Sequence, residues 1–139
     1  MRESDMQVLF KKYLEQNPPK RTEVYELKIS RGGTLLFDQV KEHQIEALRQ
    51  AEDSYFYHKL SDPPVFYGMN SRFNLKRPFD CFVLRRVKSF LVVWFYKPRQ
   101  KKVFVKIPIK KFLYAKNNLN RKSLPKDMAF QIGEQLAIN

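Results

Sequence analysis

The sequence predicts an α/β fold, a single domain over residues 1–139 with a mixed, mostly antiparallel central sheet flanked by helices. Three observations predict it. A helical run near the start leads into a strand with strict alternation, a second helical stripe follows that strand across a glycine turn, and three strand-like runs succeed one another between Phe79 and Pro108. With 139 residues, 43% of them apolar and 14% aromatic, the chain has enough material for one real core.

The elements follow in order. Met6, Leu9, Phe10, Tyr13 and Leu14 fall at helical spacing between Ser4, a candidate N-cap, and the terminating Pro18-Pro19. Thr22 to Ile29 is rich in β-branched and aromatic residues. Its period of two puts Val24, Glu26 and Lys28 on one face and Tyr25, Leu27 and Ile29 on the other, the expected core face. Arg31-Gly32-Gly33 is a turn. Phe37, Val40, Gln44, Ala47, Leu48 and Ala51 then trace one stripe of a helix from about Asp38 to Glu52. Ser54 to Leu60 predicts a short strand, followed by an irregular stretch through Pro63-Pro64 to Arg77-Pro78. Phe79–Leu84, Ser89–Tyr96 and Lys102–Pro108 predict an antiparallel meander joined by charged turns. A helix over Ile109–Asn117 and a last helix capped by Ser123, carrying Met128, Ala129, Ile132 and Leu136, complete the pattern.

Charge narrows the function. Twenty-seven Lys and Arg against 14 Asp and Glu leave a formal charge of +13, more than solubility needs, and such a surplus favours a polyanionic partner. Nucleic acid comes first and an anionic membrane surface second. No apolar run approaches the roughly 20 residues that span a bilayer, and the first ten residues carry Glu3 and Asp5 rather than a secretory signal pattern. One cysteine, Cys81, excludes an intramolecular disulfide framework, so the expected setting is reducing, intracellular and cytoplasmic.

Glu26-Leu27-Lys28 carries the most chemistry. A carboxylate and an ammonium two residues apart on a strand project side by side, a pairing suited to phosphodiester hydrolysis, although a surface ion pair is the ordinary explanation of such a triplet. Gln44, on an otherwise apolar stripe, needs a partner, because a buried unpaired amide costs about 1–3 kcal/mol. That partner is either a backbone group or the Glu26/Lys28 cluster. Basic residues gather in the second half of the chain, among them Lys76, Arg77, Arg99, Lys101, Lys102, Arg121 and Lys122, as a phosphate-tracking surface requires.

Tyr25-Glu26-Leu27-Lys28, then Thr34-Leu35-Leu36-Phe37, then Lys41-Glu42-His43-Gln44-Ile45-Glu46-Ala47-Leu48 resembles the motif block of RecU-like Holliday junction resolvases, within the PD-(D/E)XK nuclease superfamily. The match covers residues 22 to 52. Lys76-Arg77-Pro78-Phe79-Asp80 and Arg121-Lys122-Ser123-Leu124 resemble small phage-type nucleases of the same superfamily. The resemblance implies a restriction-endonuclease-like fold and a Mg²⁺- or Mn²⁺-dependent endonuclease acting on DNA, branched DNA or junctions included, as a homodimer. It also implies Glu26 and the Leu27 carbonyl as metal ligands, Lys28 as the catalytic lysine, Gln44 near the scissile phosphate and Thr34 near the substrate; Arg31, in the turn after the triplet, is a further expected DNA contact.

One departure matters. The superfamily places an aspartate on a strand before the E-x-K triplet, and too few residues separate the first helix from Glu23 to hold that strand. Asp80 is the favoured replacement, as metal ligand and catalytic carboxylate. Glu23 is disfavoured by parity, and Glu3, Asp5 or Glu15 of the first helix are further candidates. Two other readings stand beside the enzyme: an inactive nucleic-acid-binding module of the same fold, and a basic protein that meets an acidic protein partner.

Overall fold

The structure, a computed structural model, describes residues 2–53, 55–59, 81–85 and 87–138, with strands 55–59 and 81–85 described by backbone alone. The elements run α1 (Glu3–Gln16), β1 (Glu23–Ser30), β2 (Thr34–Leu36), a 3₁₀ turn (Phe37–Gln39), α2 (Glu42–Asp53), β3 (Tyr55–Lys59) and β4 (Cys81–Arg85). They continue as β5 (Lys88–Phe95), β6 (Phe104–Pro108), α3 (Ile109–Asn118), β7 (Ser123–Pro125), α4 (Lys126–Ile132) and β8 (Glu134–Leu136). The largest sheet has the order β1-β5-β6-β8. β1 lies parallel to β5, and the other two pairs are antiparallel. The fold is therefore α/β with a mixed, mostly antiparallel sheet.

β5 explains why this sheet holds. Its run Phe90-Leu91-Val92-Val93-Trp94-Phe95 is apolar on both faces, the signature of a strand covered from both sides. On one face Val92 and Trp94 pack with Phe104, Leu136 and the α1 residues Met6 and Phe10. On the other, Leu91 and Val93 join Val105, Ile107, Ile45, Leu48, Phe112 and Ala129, drawn from β6 and from α2, α3 and α4. Each fully buried large side chain contributes about 1.5–3 kcal/mol relative to exposure. Both faces of β1 are likewise occupied: Tyr25, Leu27 and Ile29 pack toward α1, and Val24 packs toward α2.

A polar tie anchors β1 across its neighbour. Glu23 accepts hydrogen bonds from the Tyr25 hydroxyl and, at 2.8 Å, from Lys106 Nζ of β6. The Lys106 ammonium lies 4.1 Å from the centroid of Phe90, the β5 residue it must cross.

Several expectations are corrected. β4 pairs antiparallel with β3, so the three-strand meander reduces to the β5–β6 hairpin. Alternation identifies strands but carries no information on which strand each meets. The second helix begins at Glu42, because residues 37–39 form the separate 3₁₀ turn, and its buried stripe is Ile45, Leu48 and Ala51 while Ala47 is exposed. Ser123 lies in β7, paired with Leu36, rather than capping α4. Leu136 belongs to β8, beyond Gly133, where an added Cβ would stand 2.8 Å from the Lys106 carbonyl oxygen. α1 begins one residue before Ser4, and Asp5 accepts the Arg2 amide at 2.7 Å.

Candidate functional site

Glu26 and Lys28 occupy the α2 side of β1, the edge strand of the large sheet. Their side chains meet, with Lys28 Nζ 3.3 Å from Glu26 Oε1 and exposures of 13% for Lys28 and 28% for Glu26. Gln44 Nε2 donates to the same oxygen of Glu26 at 2.8 Å. Of the two partners that the sequence leaves open for Gln44, the structure gives both. Gln44 is the third residue of α2, and its Oε1 accepts the amide of Lys41, one position before the helix, at 3.0 Å. A glutamine there can reach back to satisfy an unpaired N–H of the first turn. With the carbonyl oxygen committed to that amide, the NH₂ end is left to face the carboxylate, so one side chain both caps α2 and fixes Glu26.

The Leu27 carbonyl is placed by strand pairing. Tyr96 N–H donates to the Ser30 carbonyl at 2.7 Å, and Ser30 is in register with Phe95. In a parallel ladder the groups of alternate residues point to the neighbouring strand, so even-numbered residues of β1 bond β5 and the Leu27 carbonyl points to the opposite edge, which pairs with no other strand among the described residues.

Helix direction gathers further groups at one end of the sheet. α1 runs antiparallel to β1: Phe10 meets Tyr25 edge-on at 5.0 Å, and Glu3 lines a cleft with Lys28, Ile29, Arg31 and Gln39. The cleft has a volume of about 460 Å³. α2 runs antiparallel as well, with Gln44 at Glu26 and the Ala51 carbonyl accepting Val87 N–H at 3.2 Å. Both helices thus turn their N-termini, and their partial positive charge, toward the carboxyl ends of β1 and β5. The turn after β1 holds Arg31, and the turn after β5 holds exposed Lys97, Arg99 and Lys101 together with half-buried Lys102.

Ser30, nearly fully buried, closes the first of these turns by donating its hydroxyl to the Thr34 carbonyl. Gly33, at φ +74, provides the left-handed bend that the turn requires. Thr34 is exposed at the start of β2 and pairs with Pro125. Arg121 and Lys122 are exposed beside the same ribbon, where the Lys122 carbonyl accepts Phe37 N–H at 3.1 Å.

The structure therefore brings together Glu26, Lys28 and Gln44, with Arg31 at the neighbouring cleft. Glu23 stays on the opposite face, bonded to Tyr25 and Lys106, as parity requires. Glu3 reaches the Lys28 cleft, which only the direction of α1 could reveal. Asp80, Lys76 and Arg77 lie outside the described residues. Among the described residues, no group of three His, Cys, Asp or Glu side chains is placed to hold a metal ion. Also among them, no helix is long and apolar enough to cross a membrane.

No protein-family model matches the chain, and no curated protein and no solved structure matches it.

Proposed function

We propose that the protein is a divalent-metal-dependent DNA endonuclease with a restriction-endonuclease-like fold, similar to PD-(D/E)XK enzymes of the RecU type. The observation that carries the reading is the convergence of Lys28 and Gln44 on one carboxylate oxygen of Glu26, on an accessible edge strand at the cationic end of the sheet.

The donor set suits a hard divalent cation. Both contacts to Glu26 fall on Oε1, Oε2 is the oxygen that a further ligand would use, and the Leu27 carbonyl faces the same open edge. Glu26 and Leu27 would hold Mg²⁺ or Mn²⁺, with Asp80 as the proposed second carboxylate. When bound, such an ion polarises the phosphate and lowers the pKa of a bound water. Lys28 neutralises charge that builds on the phosphate and orients the attacking water. Gln44 is a positioning residue, holding the Glu26 carboxylate in one orientation. Arg31, Thr34 and the basic turn residues Arg99, Lys101 and Lys102, with Arg121 and Lys122, retain the DNA backbone through charge-assisted contacts. Lys76 and Arg77 join this proposed surface. Branched DNA and a homodimer are the substrate and assembly that the resemblance suggests.

The test is cleavage of a labelled four-way junction and a linear duplex with Mg²⁺ or Mn²⁺, comparing wild type with Lys28→Ala and Glu26→Gln. Loss of at least about 100-fold in rate, with affinity held within a few-fold, is expected for Lys28→Ala. Mn²⁺ should raise the melting temperature of wild type but not of Glu26→Gln. Tight binding with no cleavage of any substrate would overturn the enzyme reading. One observation favours the second reading, an inactive nucleic-acid-binding module: Glu26 Oε1 is already satisfied by Lys28 and Gln44 within the protein.

A further inference from the structure

The β5–β6 hairpin closes through a four-residue turn, Lys97-Pro98-Arg99-Gln100, in which Gln100 N–H donates to the Lys97 carbonyl at 3.4 Å. Proline at the second position suits such a turn. Arg99 at the third position does not: it has φ +59, and among the described residues it is the one non-glycine residue with positive φ. Turns of this shape take glycine or asparagine at that place, because a Cβ in the left-handed region crowds the backbone.

Among the described residues the side chain returns nothing to the fold. Arg99 is exposed, and among the described residues no hydrogen bond, ion pair or ring contact engages it. A strained residue whose exposed side chain touches none of the described residues is best explained by a partner outside the fold. The chemistry of that partner is set by its surroundings. Lys97 and Lys101 flank Arg99, also without ion pairs among the described residues, and the turn leaves the sheet where Tyr96 bonds Ser30, one residue before Arg31. A planar guanidinium on an exposed turn, between Lys97 and Lys101, fits the phosphate oxygens of a sugar–phosphate backbone.

We propose that the β5–β6 turn is a nucleic-acid contact and that Arg99 is held in the left-handed conformation, at a cost in stability, to present its guanidinium to the phosphates. The proposal rests on the nucleic-acid reading above and deepens it, giving the Arg99 contact a backbone conformation and a stability cost of its own. It predicts that stability and binding move in opposite directions in one substitution.

The experiment measures melting temperature, and affinity for a fluorescent duplex across a salt series without divalent metal, so that cleavage plays no part. Arg99→Gly should melt higher by about 2 °C. It should also bind about 3- to 10-fold more weakly at low salt, with the slope of log K against log salt shallower by about 0.9. Arg99→Asn, which tolerates the same φ, should behave alike, whereas Arg99→Lys should keep wild-type stability and most of the affinity. Lys12→Ala, near the far end of α1, is the control for loss of one charge and should bind within about two-fold of wild type. An Arg99→Gly protein that binds as wild type does, or melts lower, overturns this proposal alone. So does a Lys12→Ala protein that loses as much affinity. A wild-type protein that binds no nucleic acid even at low salt overturns the functional reading with it, and leaves an acidic protein as the partner.

Discussion

Gln44 and Glu26, eighteen residues apart in the chain, are joined by a 2.8 Å hydrogen bond from Nε2 to Oε1, while the other end of the same amide accepts Lys41 N–H. The bond couples the start of α2 to the edge strand. Gln44→Ala removes the cap and the strand contact together and should destabilise the protein by about 1–2 kcal/mol in urea titration. A double-mutant cycle of Gln44→Ala with Glu26→Ala should return a coupling of about 1 kcal/mol, and additive losses would contradict the contact.

Tyr25 gives stability a pH dependence of definite sign. Burial first, and then its hydrogen bond to Glu23, hold the phenol well above its ordinary value of 10.0. A raised phenol pKa favours the neutral form in the folded state, so the contribution is full below pH 10.0 and is lost as pH rises beyond it. Tyr25→Phe should cost about 1 kcal/mol at neutral pH. The gap to wild type should narrow in denaturation curves taken at about pH 11. A gap that stays constant would remove the assigned cause. Tyr13 is raised as well, by burial and then by Glu134 and Glu23.

Gly133 lies against β6 without space for a side chain. An added Cβ would stand 2.8 Å from the Lys106 carbonyl oxygen and 2.9 Å from side-chain carbons of Ile107 and Val105, and a backbone oxygen within a strand has little freedom to move. Gly133→Ala should therefore destabilise the protein by about 1–3 kcal/mol, read as a lower melting temperature with α4 and β8 most affected in hydrogen exchange.

Ser89 is fully buried on β5, and its hydroxyl has no partner among the described residues, although its amide donates to Glu52 at 3.0 Å. Removing an unsatisfied buried hydroxyl relieves its desolvation cost without touching that amide bond. Ser89→Ala should be neutral to stabilising by up to about 1 kcal/mol. A clear loss of stability would show that the hydroxyl is satisfied.

Much of the local architecture was legible in residue order. The extents of α1, β1, β3, β5, β6 and α3 follow, within a residue or two, from apolar period and from the Pro18-Pro19 and glycine punctuation, because these signals act between near neighbours. Parity alone separated Glu26 and Lys28 from Glu23, since alternation fixes which face each side chain takes. The need of Gln44 for a partner was equally visible.

Its identity was not. That Gln44 reaches Glu26 depends on α2 lying antiparallel across the open face of β1, and that Glu3 shares a cleft with Lys28 depends on α1 doing the same on the other side. The exchange of the meander for β3–β4 pairing, and of a helical tail for β8, has the same origin. A strand's own period is satisfied equally by any neighbour of suitable register, so the pairing is decided by which arrangement buries the doubly apolar β5 most completely. That sum runs over contacts distant in the chain. Arg99 marks the boundary most clearly, for its basic type and its turn were readable from sequence, whereas its strained backbone and exposed side chain exist only in three dimensions.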